Sequence, residues 1–504
     1  MTAQRRTRVE GPPQTGPAPE LVESGFALEN ADAPFLHRGL NLADISHVLD
    51  LARRGLIPPA AGRELLELLL EVTEMPVEEF PYDPAFGEPY NSREHFFVSR
   101  IGDVAGWLHA GRPRREAARV ALRLHLRRQL TELVSEAVRF AAATTEVAVE
   151  HAATLLPDQT YLQQAQPSTF GHYLLSFVYS AVRDTRRLLD ELDWVDRSPG
   201  GAGCVNGTRL LADRGPVAAA LGFQSVITHT RDAMWQVDGL IHVLATAASL
   251  LSNFSKLAED LEIFSSSEFD FIDLADGYTR SSILMPNKRN PYSLAIIRGA
   301  SGVVIGRLTG FLAVTKSPSA RSDNLIFAYG EVPRALDLCL RITRLMTGVV
   351  ATMHVNRERM EQELRAGYTQ ATDLAEHLTQ SLGVDYRTAY VVVGNTVRAA
   401  SRAGIPGIAI TGAMIDEAAR ELTGQDWGLT GADLSAVLDP WRIVLTRQAE
   451  GGAAPAALES MARQITGELA ELEATARRRT AGFDAAEQAL LAHARDIVTK
   501  GAGE

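Results

Sequence analysis

The sequence predicts an all-α protein with a long central helix bundle and a smaller helical region on either side. Three observations carry the all-α bundle itself. Two stretches run unbroken by proline, from Arg114 to Pro157 and from Gly239 to Phe264. In the second, Leu250, Phe254, Leu257, Leu261 and Phe264 recur at helical spacing and draw one apolar stripe. No series of alternating polar and apolar residues, and no internal repeat, competes with that pattern. Helices this long must bury their stripes against one another, and a bundle does so.

Taken in order, residues 1–25 form a Pro/Gly-containing tail expected to be disordered. Residues 26–113 form a first helical domain. It contains "LNLADISHVLDLARRG" and "PPAAGRELLELLLEV" and ends after the aromatic, Pro-rich "FPYDPAFGEPYN". Residues 114–365 hold the long helices. Residues 366–504 form a C-terminal helical domain interrupted at "AGIPGIAITG" and "GGAAPAA".

The bulk composition narrows the function. The chain has 504 residues, 46% hydrophobic and 22% charged, with a formal net charge of −12. That balance gives no basic patch for nucleic acid. Its two cysteines, Cys204 and Cys339, support neither a disulfide framework nor a cysteine metal site. HExxH, close histidine pairs, GxxxxGK[ST] and GxGxxG in a strand–helix context are all missing, so no metal and no organic cofactor are expected. The first residues lack the apolar core of a signal peptide. No apolar run of membrane-spanning length is expected either. The cytoplasm is the expected location.

Chemistry concentrates in "TRSSILMPNKRNPYSLA", residues 279–295. Asp276, Gly277 and Pro286 make this a loop between two helices. Pro291 suits the first turn of the second helix, with Asn290 at its N-cap. That helix end, Lys288 and the Asn290 amide suit an anion, most simply a carboxylate. A serine hydroxyl such as Ser282 becomes a base where positive charge stabilises its alkoxide. Removal of a proton beside a carboxylate needs the same environment, because the carbanion is a doubly charged aci-carboxylate. Polar residues before a helix also serve as caps and turns, so spacing alone leaves both readings open.

"SSILMPNKRNP" resembles the GSSxMPxKxNP signature of the fumarase/aspartase superfamily. "LHAGRPRRE" (108–116) resembles the HTGRSRND block of its argininosuccinate lyase branch, and "PDQTYLQQAQPSTFGH" (157–172) resembles that branch's PGYTHLQ-AQP-TF-H block. The later "GGAAP" falls where the branch has a similar turn. This resemblance spans roughly residues 28–480. It implies a three-domain all-α homotetramer whose active sites are shared between subunits, and a reversible β-elimination that releases fumarate from a small dicarboxylate-type substrate. It implies Ser282 as the base, and Lys288, Asn290 and Thr160 as contacts to the substrate carboxylate. Gln163 and Gln166 match motif letters, with a helix-bridging role as their alternative. His95 aligns with a family histidine, and His172 is expected to be structural.

The departures point to altered specificity. The branch's proton-transferring histidine is Tyr161 here, and the glutamate that pairs with it is Ala295. The two are lost together, and keeping the carboxylate alone would bury an unpartnered charge. Tyr161 is a candidate proton donor, although a phenol is a weak acid near neutral pH. In the arginine block, Ala110, Pro113 and Arg115 replace substrate-holding residues. Arg112, Arg114 and Arg115 are therefore candidate contacts to an acid group. Over 317–337 the residues that read arginine do not survive at clear positions, and Arg321 and Tyr329 stand near them. The expected activity is carbon–nitrogen (or carbon–X) β-elimination of an aspartate- or succinate-derived substrate, with a leaving group other than arginine. A muconate-type cycloisomerase and a non-catalytic structural relative are the alternatives.

Overall fold

The 114–156 stretch leaves its helix earlier than its composition suggests. Arg114–Glu150 is one helix of 37 residues, about 55 Å long at 1.5 Å per residue. His151 then departs from helical geometry, and Leu155–Thr160 pairs antiparallel with Gln163–Thr169. This hairpin was not legible, because its outer half is polar on both faces. In the computed structural model, residues 16–317, 319–320 and 323–500 are described.

Phe170–Val195 and Glu331–Thr352 pack on the Arg114–Glu150 helix, Asp238–Phe264 packs on both of these, and Tyr292–Thr315 packs on Asp238–Phe264 and Glu331–Thr352. The predicted stripe is the seam: Leu250, Phe254, Leu257 and Leu261 are buried with Leu130, Val134, Leu174 and Val178. Each such side chain contributes roughly 1.5–3 kcal/mol by leaving water. The rings of Phe140 and Phe254 meet with centroids 4.5 Å apart.

Two smaller apolar clusters flank this core. One gathers Ile45, Leu51, Leu65, Leu69 and Phe97 from Ala33–Arg53, Pro59–Glu74 and Pro89–Ile101. The Ala33–Arg53 helix lies directly on Arg114–Glu150 because Gly39 has no side chain. A Cβ there would sit 2.6 Å from the Ala121 Cα. The other cluster joins Leu374, Leu378, Val392, Ile415 and Leu434.

Several expectations need correction. The stretch 366–504 does not pack as one unit. The 46-residue helix Pro455–Lys500 lays Leu458, Ile465 and Leu469 on the central core and Leu490 and Ala494 on the N-terminal cluster. Of the tail expected over 1–25, residues Pro19–Leu21 and Val22–Phe26 are helical turns, and 1–15 lie outside the described residues. Finally, Asp238–Phe264 and Tyr292–Thr315 are long and apolar enough to cross a membrane by length and composition. The first is a core helix. The second leaves Val303, Ile305 and Leu312 exposed on a single chain, while its Arg298 and Arg307 pair with Glu262 and Glu331 of neighbouring helices.

Candidate active site

Residues 280–290 fold as a tight hairpin. Arg280 and Ser281 pair with Asn290 and Arg289, and Ser282 N–H extends the ladder to the Lys288 carbonyl at 3.2 Å. Arg289 anchors its base, reaching both Asp273 oxygens at 3.0 Å, Asp276 at 2.9 Å and the Leu274 carbonyl at 2.8 Å. Those two carboxylates hold the guanidinium pKa above its usual range.

The chain then turns sharply enough that Ser282 Oγ accepts two backbone hydrogen bonds. They come from Leu284 N–H at 3.3 Å and Met285 N–H at 3.0 Å. Donors aimed at an oxygen favour its anionic form. Lys288 stands exposed on the same hairpin, with no ion-pair partner among the described residues. The serine and the two N–H groups thus form one small unit, on the same hairpin that carries Lys288. The two N–H donors were missed at the sequence level, since no side-chain pattern marks them.

Asn290 is placed differently from expectation. The N-cap of the following helix is Pro291, and the Asn290 amide donates to the Arg280 carbonyl at 2.9 Å. It pins the hairpin and leaves its side-chain oxygen for another partner.

A second group sits at the tip of the 155–169 hairpin. Thr160 and Gln163 face each other across Tyr161 and Leu162, whose φ angles are 55° and 58°. Two consecutive left-handed residues make a type I′ turn, normally built from Asn and Gly. Tyr161 is 98% exposed. Thr160, Gln163 and Gln166 are exposed too, so neither glutamine bridges helices. His172 Nε2 pairs with the Gly451 carbonyl at 2.9 Å, a structural tie.

The arginine block forms a third group, and it corrects one assignment. Arg112 is buried and donates to Asp44, to the Ala43 carbonyl at 3.0 Å and to the Tyr90 hydroxyl at 2.8 Å. Arg93 holds the other Asp44 oxygen at 2.7 Å, and both members of that pair are fully buried. Burial alone would raise the Asp44 carboxyl, but the two guanidinium groups outweigh it and hold the pKa below its ordinary value. Arg112 is therefore structural, because no substrate can compete for it. Arg114 bonds the Asn91 side-chain oxygen and stands 3.7 Å from Glu88. Arg115 lines a cavity together with Glu29 and Glu88. Glu116 accepts from the N–H groups of Gly201 at 2.7 Å and Gly203 at 2.6 Å, and burial pushes its pKa up to about 7. His95 stacks on Phe86 at 3.9 Å on the surface. Arg321 lies outside the described residues.

No hydrogen bond of Ser282, Asn290, Thr160 or Arg112 runs from one of these three groups to another.

Comparison with known proteins is consistent over nearly the whole chain. Residues 88–306 match a family described as lyase, and 368–444 match the argininosuccinate lyase C-terminal family. The argininosuccinate lyase of Methanoculleus marisnigri is 32% identical over 479 residues, covering 94% of this chain and 96% of that protein. That of Methanococcoides burtonii is 33% identical over 425 residues, covering 83% and 85%. Among solved structures, an EDDS lyase in complex with formate superposes with a TM-score of 0.87 at 28% identity, covering 96% of this chain and 97% of the other. A class II fumarase from Schistosoma mansoni shares the fold, with a TM-score of 0.68 at 15% identity over 84% and 92% of the two chains. With identity of this order sustained from end to end, and the signature hairpin intact, the chain belongs to the argininosuccinate lyase branch of the fumarase/aspartase superfamily and is a lyase of that superfamily.

Proposed function

We propose that this lyase cleaves the carbon–nitrogen bond of a succinyl-amine substrate by β-elimination and releases fumarate or a related unsaturated acid. Ser282 is the base. Its Oγ, as alkoxide, takes the Cβ proton. The electron pair moves into the adjacent carboxylate as an aci-carboxylate, then forms the carbon–carbon double bond as the amine departs. Lys288 and the Leu284 and Met285 N–H groups stabilise the negative charge that Ser282 carries beforehand. Asn290 and Thr160 hold the carboxylate.

The single observation that carries this reading is the pair of backbone N–H donors on Ser282 Oγ, in a hairpin that also carries Lys288. The leaving group is an amine other than arginine, because the His–Glu pair of the branch is Tyr161 and Ala295 here. An amine that departs with little acid assistance fits that loss. Tyr161, at the tip of an exposed turn, is the candidate donor of any proton it needs.

The site is completed between subunits of a homotetramer. Supporting this are the lack of hydrogen bonds joining the three groups on one chain and the exposed apolar side chains of the Tyr292–Thr315 helix.

Replacing Ser282 with Ala tests the reading. Turnover measured by fumarate absorbance should fall at least ~10²-fold, the lower range for loss of a general base, with circular dichroism unchanged. Undiminished turnover would place the base elsewhere.

A further inference from the structure

We propose that the cavity at the start of the Arg114–Glu150 helix receives a carboxylate carried by the leaving amine, with Arg119 as the residue that recognises it. This rests on the β-elimination reading above and adds the chemical class of the leaving group. The cavity holds about 60 Å³ and is lined by Glu29, Asp32, Glu88, Arg115, Arg119 and Tyr329. Arg115 and Arg119 are four residues apart, on one helix face.

Arg119 is the anomaly. Its Nε and Nη2 are sealed from solvent and have no hydrogen-bond partner. Its guanidinium stacks on the Tyr329 ring, 3.7 Å from the centroid, which orients the fork and leaves its donor edge unused. Burial lowers its pKa, and the opposing pull of Tyr329, Glu88 and Glu29 does not offset it. Buried charges are ordinarily paired.

The acids nearby are committed elsewhere. Asp32 holds Arg334 at 2.7 Å. Glu88 faces Arg114 and is hydrogen-bonded to Glu29, whose carboxyl is pushed up to about 7, first by burial and then by Glu88. Glu29 is thus only partly ionised near neutrality and offsets Arg119 incompletely. A guanidine or a simple alkylamine would add a cation beside Arg115 and Arg119. A carboxylate would supply the acceptors that Nε and Nη2 lack, in the forked geometry guanidinium groups favour.

Calorimetric titration of the full-length protein with β-alanine, under saturating succinate to fill the fumarate side, tests this. β-Alanine should bind wild type and Ser282→Ala alike. β-Alaninamide should bind wild type at least about tenfold more weakly, the scale of a lost charge-assisted bond. Arg119→Gln should bind β-alanine weakly by the same factor, and Arg119→Lys should lie between. Freed of an unpaired cation, Arg119→Gln should melt at or above the wild-type temperature. Equal binding of acid and amide, unchanged affinity in Arg119→Gln, no binding at all, or a lower melting temperature for that variant would overturn the proposal. Loss of fumarate absorbance with β-alanine is followed in parallel. Binding without fumarate consumption would fail the elimination chemistry and leave the carboxylate pocket standing.

Discussion

Asp44 shows what a single residue does here. It is the shared counter-ion of Arg93 and Arg112, and Tyr90 donates to it at 3.0 Å. Asp44→Asn would strand two buried guanidinium groups. The expected loss is ~3–5 kcal/mol, the usual cost of removing one partner from a buried ion pair, read by urea unfolding. Because the folded Asp44 pKa lies below the unfolded one, its contribution is present above the unfolded carboxyl range near pH 4. It is lost as pH falls through the lower folded value, and the Asn variant lacks that part of the acid sensitivity. Arg112 also marks where sequence reading stops. Its neighbours in sequence suggested a substrate contact, but its partner Asp44 is 68 residues away, and no local pattern announces that distance. Ser282 and Lys288 were legible because their geometry is local, within one hairpin. Arg119 and Glu29 were invisible for the same reason as Asp44: a tertiary cavity gathers them.

At the level of elements, the long helices were legible and the hairpin after the first of them was not. Helical periodicity survives in Asp238–Phe264 because one face is buried along its length. In the 155–169 hairpin only the base is buried, at Leu155, Leu156, Pro157, Pro167, Ser168 and Thr169, so no alternation marks its strands. The turn chemistry misleads as well, since Tyr161 and Leu162 occupy positions suited to glycine. Leu162→Gly should stabilise the protein by about 1 kcal/mol, since a left-handed non-glycine residue costs roughly 1–2 kcal/mol. Comparing the two proteins by denaturant titration checks this. Such strain persists where function requires it, so the same variant should turn over more slowly if the tip must hold a fixed shape over a neighbouring site.

For the whole molecule, the exposed surface of Tyr292–Thr315 is decisive. Val303 on one flank of this helix and Ile305 and Leu312 on the other stand 45–48% exposed on one chain, large apolar side chains of the kind that association covers. Sedimentation should report a single species of four chains at micromolar protein. Replacing Val303 and Ile305 together with Asp should give smaller species and no turnover, while helix content by circular dichroism is largely kept. A monomer with full activity would refute shared sites.

The reach of Pro455–Lys500 has a practical result for anyone shortening the chain. The far end of that helix supplies Leu490 and Ala494 to a cluster otherwise assembled from residues between 42 and 124 and between 211 and 223. Trimming from the carboxyl end therefore unroofs the opposite end of the polypeptide first. Protease cuts arising after such trimming would be found near residues 42–72, some four hundred positions upstream of the deletion.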